Sequence, residues 1–146
     1  MPTSKLHYSA SISDEYWFEE GCFIKDQLND PDHPQLSIAQ ARVPTEGITA
    51  WHCLKDTEER YVILDGEGLA EVGKEAFKVS VGDVVVIPAG VAQRIKNTGS
   101  NDLRFLAICQ PRFLVENYMS CTPAKVMQCA NLDFNSNLHH VRIGEL

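Results

Sequence analysis

The chain has no long apolar run, no block of positive charge and no paired-cysteine motif, and each absence removes a class of function. Nothing approaches the ~20 apolar residues that cross a bilayer as a helix, and the opening Met-Pro-Thr-Ser-Lys-Leu-His lacks the apolar centre of a secretory signal. A cytoplasmic protein with no membrane partner is expected. Lys and Arg number 13 against 20 Asp and Glu, for a formal net charge of -7, so the electrostatic footprint of a nucleic-acid binder is missing too. The five cysteines, Cys22, Cys53, Cys109, Cys121 and Cys129, are odd in number and form no Cys-x-x-Cys pair. In a reducing compartment they read as core-filling thiols, not as a disulfide framework or a zinc knuckle.

Helical periodicity is also missing from most of the chain, which instead alternates. With 146 residues at 44% hydrophobic content the sequence can bury one full core, so a single domain over 1–146 is expected. Residues 1 to 14 are polar and aperiodic, an arm that orders by docking elsewhere. A first strand is expected within about 16–28, with Cys22 and Ile24 on one face and Phe23 on the other, and Asn29-Asp-Pro-Asp-His-Pro ends it; His33 lies in that solvated loop. Strands are expected at Leu36 to Val43, at Ile48 to Leu54, and at Glu59 to Leu64, the last closed by an Asp65-Gly66 hairpin turn. Further strands run from Gly68 to Val72 and Ala76 to Val81 around a Gly73-Lys74 turn, then Val84 to Ile87, Val91 to Lys96 and Leu103 to Cys109.

Short strands at regular spacing with Gly and Pro turns indicate an all-β sandwich or barrel. The barrel core is expected over about 36–109. Beyond Pro111 a C-terminal extension of about 111–146 contains one expected short helix, from Cys121 to Asn131, with Thr122 as N-cap and Pro123 at its first position. His139 and His140 are adjacent, point apart on an extended chain and read as surface residues.

The segment from Trp51 to Gly68 carries the chemistry. Alternation puts Ile48, Ala50, His52 and Leu54 on one face, and Glu59, Tyr61 and Ile63 on one face of the next strand, so His52 and Glu59 can aim at a common interior point. Gln93 falls on the apolar side of its own strand, with Arg94 outward as an ion-pair partner. Cys53 and Trp51 alternate away from His52. Two readings of the polar trio are open: His52 as a core histidine hydrogen-bonded to Glu59 or Gln93, or His52, Glu59 and Gln93 as ligands of a divalent metal. Tyr61 lines the interior beside Glu59, where its ring walls a pocket and its hydroxyl can meet a ligand.

Gly47, His52, Glu59 and Gly66 resemble the first motif of the cupins, in which a Gly precedes two histidines one residue apart, then a Glu and a further Gly. Gly82, Pro88, Gly90, Gln93 and Asn97 resemble the second, Gly-x5-Pro-x-Gly-x2-His-x3-Asn. The resemblance implies a double-stranded β-helix, or jelly roll, of roughly six to eight strands with short N- and C-terminal extensions, often a homodimer, holding a divalent metal on three histidines and a glutamate. Leu54 and Gln93 stand where two of those histidines would be. Zinc, iron, manganese or nickel on the remaining His52, Glu59 and Gln93 is therefore expected to be weakly held or absent. The functions implied are a metal-dependent dioxygenase, isomerase or lyase, or a metal-free, non-catalytic module that binds a small sugar-like or polar ligand.

Overall fold

The alternating segments fold as antiparallel strands around a shared interior, and the computed structural model describes residues 5–10 and 14–124. In chain order the strands are β1 Tyr16–Phe18, β2 Cys22–Leu28, β3 Ser37–Val43, β4 His52–Leu54, β5 Glu58–Asp65, β6 Glu67–Val72, β7 Glu75–Ser80, β8 Val84–Ile87, β9 Gln93–Asn97, β10 Leu103–Gln110 and β11 Tyr118–Ser120. They form a six-stranded sheet, β1-β2-β3-β10-β5-β8, and a five-stranded sheet, β11-β4-β9-β6-β7. This is the all-β jelly roll that the alternation and the two motifs predict. Between the sheets lie Val43, Ile63, Ile87, Ile95, Leu103 and Phe105, all buried. Burying each such side chain contributes about 1.5–3 kcal/mol.

Four local readings change. Asp65-Gly66 does not close a hairpin, because β5 pairs with β8 and β10 whereas β6 pairs with β7 and β9. It is the corner at which the chain leaves one sheet for the other, and Gly66 takes it at φ 85°. The strand expected over Ile48 to Leu54 is broken. Ile48 makes one bridge to Lys96, pairing resumes only at His52, and Thr49 rather than Ile48 or Ala50 is buried. Its backbone is used elsewhere, since the Ala50 amide donates to the Glu20 carbonyl at 2.6 Å. The first strand is a hairpin, β1 and β2, turning through Glu19, Glu20 and Gly21 at φ 105°. Val84 and Val86 of β8, read as part of a continuous apolar run, face outward at 56% and 52% exposure.

Other expectations hold in detail. The Gly73-Lys74 hairpin joins β6 and β7, and Arg94 pairs with Glu71 at 2.7 Å while stacking on Trp51. Cys53 does point away from His52, but into a small cluster with Ala92, Cys121 and Trp51 rather than to solvent. Residues 5–10 of the N-terminal arm dock on the loop before β3: the Tyr8 hydroxyl donates to Asp30 at 2.5 Å, and the His33 ring bonds the Lys5 carbonyl. Asn97 is a structural residue. Its buried amide donates to the Val43 and Asn101 carbonyls and its oxygen accepts the Gly99 amide, which ties the end of β9 to β3 and to the following turn. Pro123 and Ala124 begin a helical turn; the remainder of the expected helix, Cys129, and His139 with His140 lie outside the described residues. No helix among the described residues is long and apolar enough to cross a membrane.

The fold leaves a hollow on one side of the core. The inner face of β3 presents Ser37, Ala39 and Ala41, and β10 presents Ala107, so the six-stranded sheet is floored with small side chains where larger ones would fill the barrel. The result is a cavity of about 70 Å³, room for a handful of waters or one small polar molecule.

Candidate functional site

The two sheets deliver their polar side chains from opposite walls. β4 and β9 lie side by side in the five-stranded sheet with His52 directly across from Gln93. β5 brings Glu59 and Tyr61 from the six-stranded sheet, Glu59 opposite Cys109 of β10. All four side chains are buried, His52 at 2%, Glu59 at 7%, Tyr61 at 3% and Gln93 at 1% exposure. The Tyr61 hydroxyl donates to Gln93 Oε1. The Cys109 thiol donates to Glu59 Oε2 at 3.6 Å. Glu59 Oε1 and Gln93 Nε2 are buried and have no hydrogen-bond partner among the described residues.

His52 does not take the partners expected for it. Its Nδ1 bonds the Ala50 carbonyl at 2.9 Å, and its Nε2 lies 3.2 Å from Oε1 of Glu20. The Ala50 amide in turn donates to the Glu20 carbonyl, which closes a ring of contacts: Glu20 backbone to Ala50, Ala50 to the imidazole, imidazole to the Glu20 carboxyl. Gly21 makes the ring possible, because a Cβ at that position would stand 3.0 Å from the Ile48 carbonyl oxygen. The imidazole is also clamped flat against the Tyr118 ring, centroids 4.9 Å apart, and Phe18 meets the same ring edge-on.

Glu20 is the residue that sequence reading misses. It lies outside the stretch that carries the motifs, in a hairpin whose own pattern says only that a turn is present. The sole local signal is an acidic residue beside a Gly between two apolar strands.

Burial sets the protonation. It pushes the Glu20 carboxyl up to about 8, with the Glu59 charge adding and the Cys22 thiol opposing. It pushes Glu59 up to about 7 against the pull of the Gln93 amide and the Cys109 thiol. His52 is driven down to about 4, also by burial, with the Ala50 carbonyl opposing. Near neutrality the pair is therefore a carboxylic acid donating to a neutral imidazole and not an ion pair. The thiols of Cys22 and Cys109 are raised by burial and by the carboxylates they bond, which makes them inert donors.

A metal needs three protein ligands converging on one point. Among the described residues no three His, Cys, Asp or Glu side chains come together in that way. Gln93 turns its oxygen to the Tyr61 hydroxyl and leaves a nitrogen that bears hydrogens as its other amide atom.

Comparison with known proteins places the chain. Residues 40–109 match the Cupin domain family. Over 108 residues the chain is 32% identical to the uncharacterized protein MJ1618 of Methanocaldococcus jannaschii, spanning 70% of this chain and 83% of that one. It is 33% identical over 71 residues to the oxalate-binding protein of Thermotoga maritima, 49% of this chain and 59% of that one. A solved structure from Thermotoga maritima, described as a predicted oxalate decarboxylase, superposes with a TM-score of 0.66 at 23% identity, over 73% of this chain and 99% of that one. The chain belongs to the cupins.

Proposed function

We propose that this cupin is an enzyme of lyase or isomerase type that moves protons on a small polar molecule with its own side chains. The observation that supports this best is the pair of protonatable carboxyls, Glu20 and Glu59, that line one cavity, one of them held on an imidazole at 3.2 Å. A general acid and a general base work best with pKa values near the operating pH. Glu59, with one oxygen unbonded, takes the proton from the bound molecule. Glu20 delivers the proton it otherwise shares with His52 Nε2 to the departing or adjacent atom, and exchange with solvent then returns Glu59 and Glu20 to their starting states. His52 positions Glu20 through Nε2, and Tyr61, fixed by Gln93, walls the pocket with its ring. The buried thiols of Cys22 and Cys109 support a reducing, cytoplasmic setting.

The test is deuterium wash-in, followed by proton NMR in D2O on protein stripped with EDTA, over a panel of small amino and hydroxy compounds. Exchange or elimination is expected in the wild type, and Glu20→Gln or Glu59→Gln should slow it by about a hundredfold or more. Binding without exchange would assign the barrel to the non-catalytic binding module. Exchange that stops with EDTA and returns with zinc, iron, manganese or nickel would assign it to a metal on His52, Glu59 and Gln93.

We also propose a homodimer. β8 is the edge of its sheet, and the outward Val84 and Val86 give that edge an apolar face that a second copy would cover. Light scattering at micromolar concentration should give twice the monomer mass; the monomer mass would refute the pairing.

A further inference from the structure

Taking the cavity as the functional site, a reading on which this step rests, we infer that its ligand is a small organic cation, an amine protonated at neutral pH, and not a carboxylate or a neutral polyol. The walls carry the argument. Three acidic side chains, Glu20, Asp26 and Glu59, line the cavity, and among the described residues no Lys or Arg does. Arg112 reaches the wall only indirectly, its guanidinium donating to Asn29 Oδ1 at 2.7 Å. A dianion such as oxalate would meet three carboxyls beside the neutral Asn29, Ser37 and tyrosine groups and, among the described residues, find no guanidinium or ammonium to bond. Carboxylate recognition uses Arg or Lys donors.

The remaining walls suit a cation equally well. Tyr16, Phe18, Tyr61, Phe105 and Phe113 line the same space, and aromatic faces attract an ammonium by their quadrupole, the more so when it is desolvated. An unfilled valence points the same way. Glu59 Oε1 is buried with no partner in hydrogen-bond geometry among the described residues, the nearby Gln93 amide pulling on the carboxyl without closing a bond, on a residue 7% exposed that faces into the cavity. An ammonium brings up to three N–H donors, and its charge draws the Glu20 and Glu59 carboxyls, which burial holds wholly or partly protonated near neutrality, into their ionised form. A polyol brings donors alone, and gains nothing from the aromatic faces beyond contact.

Calorimetric titration of EDTA-treated protein with ethanolamine, trimethylamine, glycerol and oxalate decides it. Ethanolamine and trimethylamine should bind, and oxalate should give no heat at the same concentrations. Glu59→Gln, checked for folding by its melting curve, should weaken ethanolamine by about tenfold or more, because the amide cannot ionise to pair with the ammonium. Asp26→Asn, on β2, provides a second variant with the same expected direction. Oxalate binding, glycerol binding as tight as ethanolamine, or no amine binding at millimolar concentration would each overturn the inference. Failure of the proton-transfer reading looks different: amines would bind as expected, with no deuterium exchanged.

Discussion

Gly66→Val is expected to cost about 4 kcal/mol and to lower the melting temperature by roughly 10–15 °C. Two effects add at this corner. The backbone sits at φ 85°, a region that a β-branched residue avoids. The Cβ itself would lie 2.6 Å from the Asp102 carbonyl oxygen and 3.0 Å from the Leu103 Cα, both backbone atoms that cannot swing away. Gly82 separates the two effects, because it has φ 94° with nothing within 4 Å of an added Cβ. Gly82→Ala should therefore lose only the conformational part, about 1–2 kcal/mol, and Gly66→Ala distinctly more. Equal losses in thermal unfolding would mean that the corner is not packed against the strand that starts at Leu103. The consequence reaches the site, since the corner fixes where β5, with Glu59 and Tyr61, ends and where the second sheet begins.

The same corner marks how far the sequence could be read. Alternation located nearly every strand, because the side chains of a jelly roll face either the core or solvent and a period of two records that directly. It also put His52, Glu59, Tyr61 and Gln93 inside. Connectivity was less legible. An Asp-Gly pair signals positive φ, but a hairpin and a sheet-to-sheet corner need the same dihedral, so Gly66 looked like a turn between partners. The break at Ile48 to Trp51 was hidden for a related reason. The Ala50 amide and carbonyl are engaged by Glu20 and His52, and long-range backbone bonds leave no trace in local pattern.

Glu20 was illegible because its role depends on where the β1–β2 hairpin lands, some thirty residues before His52 in the chain. The cavity had a faint signal, the small side chains at Ser37, Ala39, Ala41 and Ala107. Small residues in strands, however, also occur where sheets simply pack closely.

Melting temperature should fall as the pH is raised from about 6.5 to 8, the reverse of what paired surface carboxylates produce. Glu20 and Glu59 have folded-state values of about 8 and about 7 against an ordinary 4.5. Between those limits the unfolded chain has lost protons that the folded chain still holds. Raising the pH therefore favours unfolding through that window, by an amount on the order of several kcal/mol if both groups stay buried. His52 acts oppositely but lower down: with a folded value of about 4 against 6.5, it removes stability only as the pH drops below 6.5. From 6.5 to 8 the two carboxyls therefore dominate, the imidazole opposing them only weakly near 6.5, whereas below 6.5 it offsets them more. Glu15 and Asp30, both lowered by hydrogen bonds from Arg42 and Tyr8, act below that range. Glu20→Gln and Glu59→Gln should each flatten the slope and raise the melting temperature at pH 8 relative to the wild type, because a neutral amide has no charge to desolvate. Thermal denaturation at half-unit steps, with and without chelator, checks this. A wild-type melting temperature that holds level from 6.5 to 8 and begins to fall only after EDTA would mean that a bound cation keeps both carboxyls ionised, and the metal-free reading of the pocket would go with it.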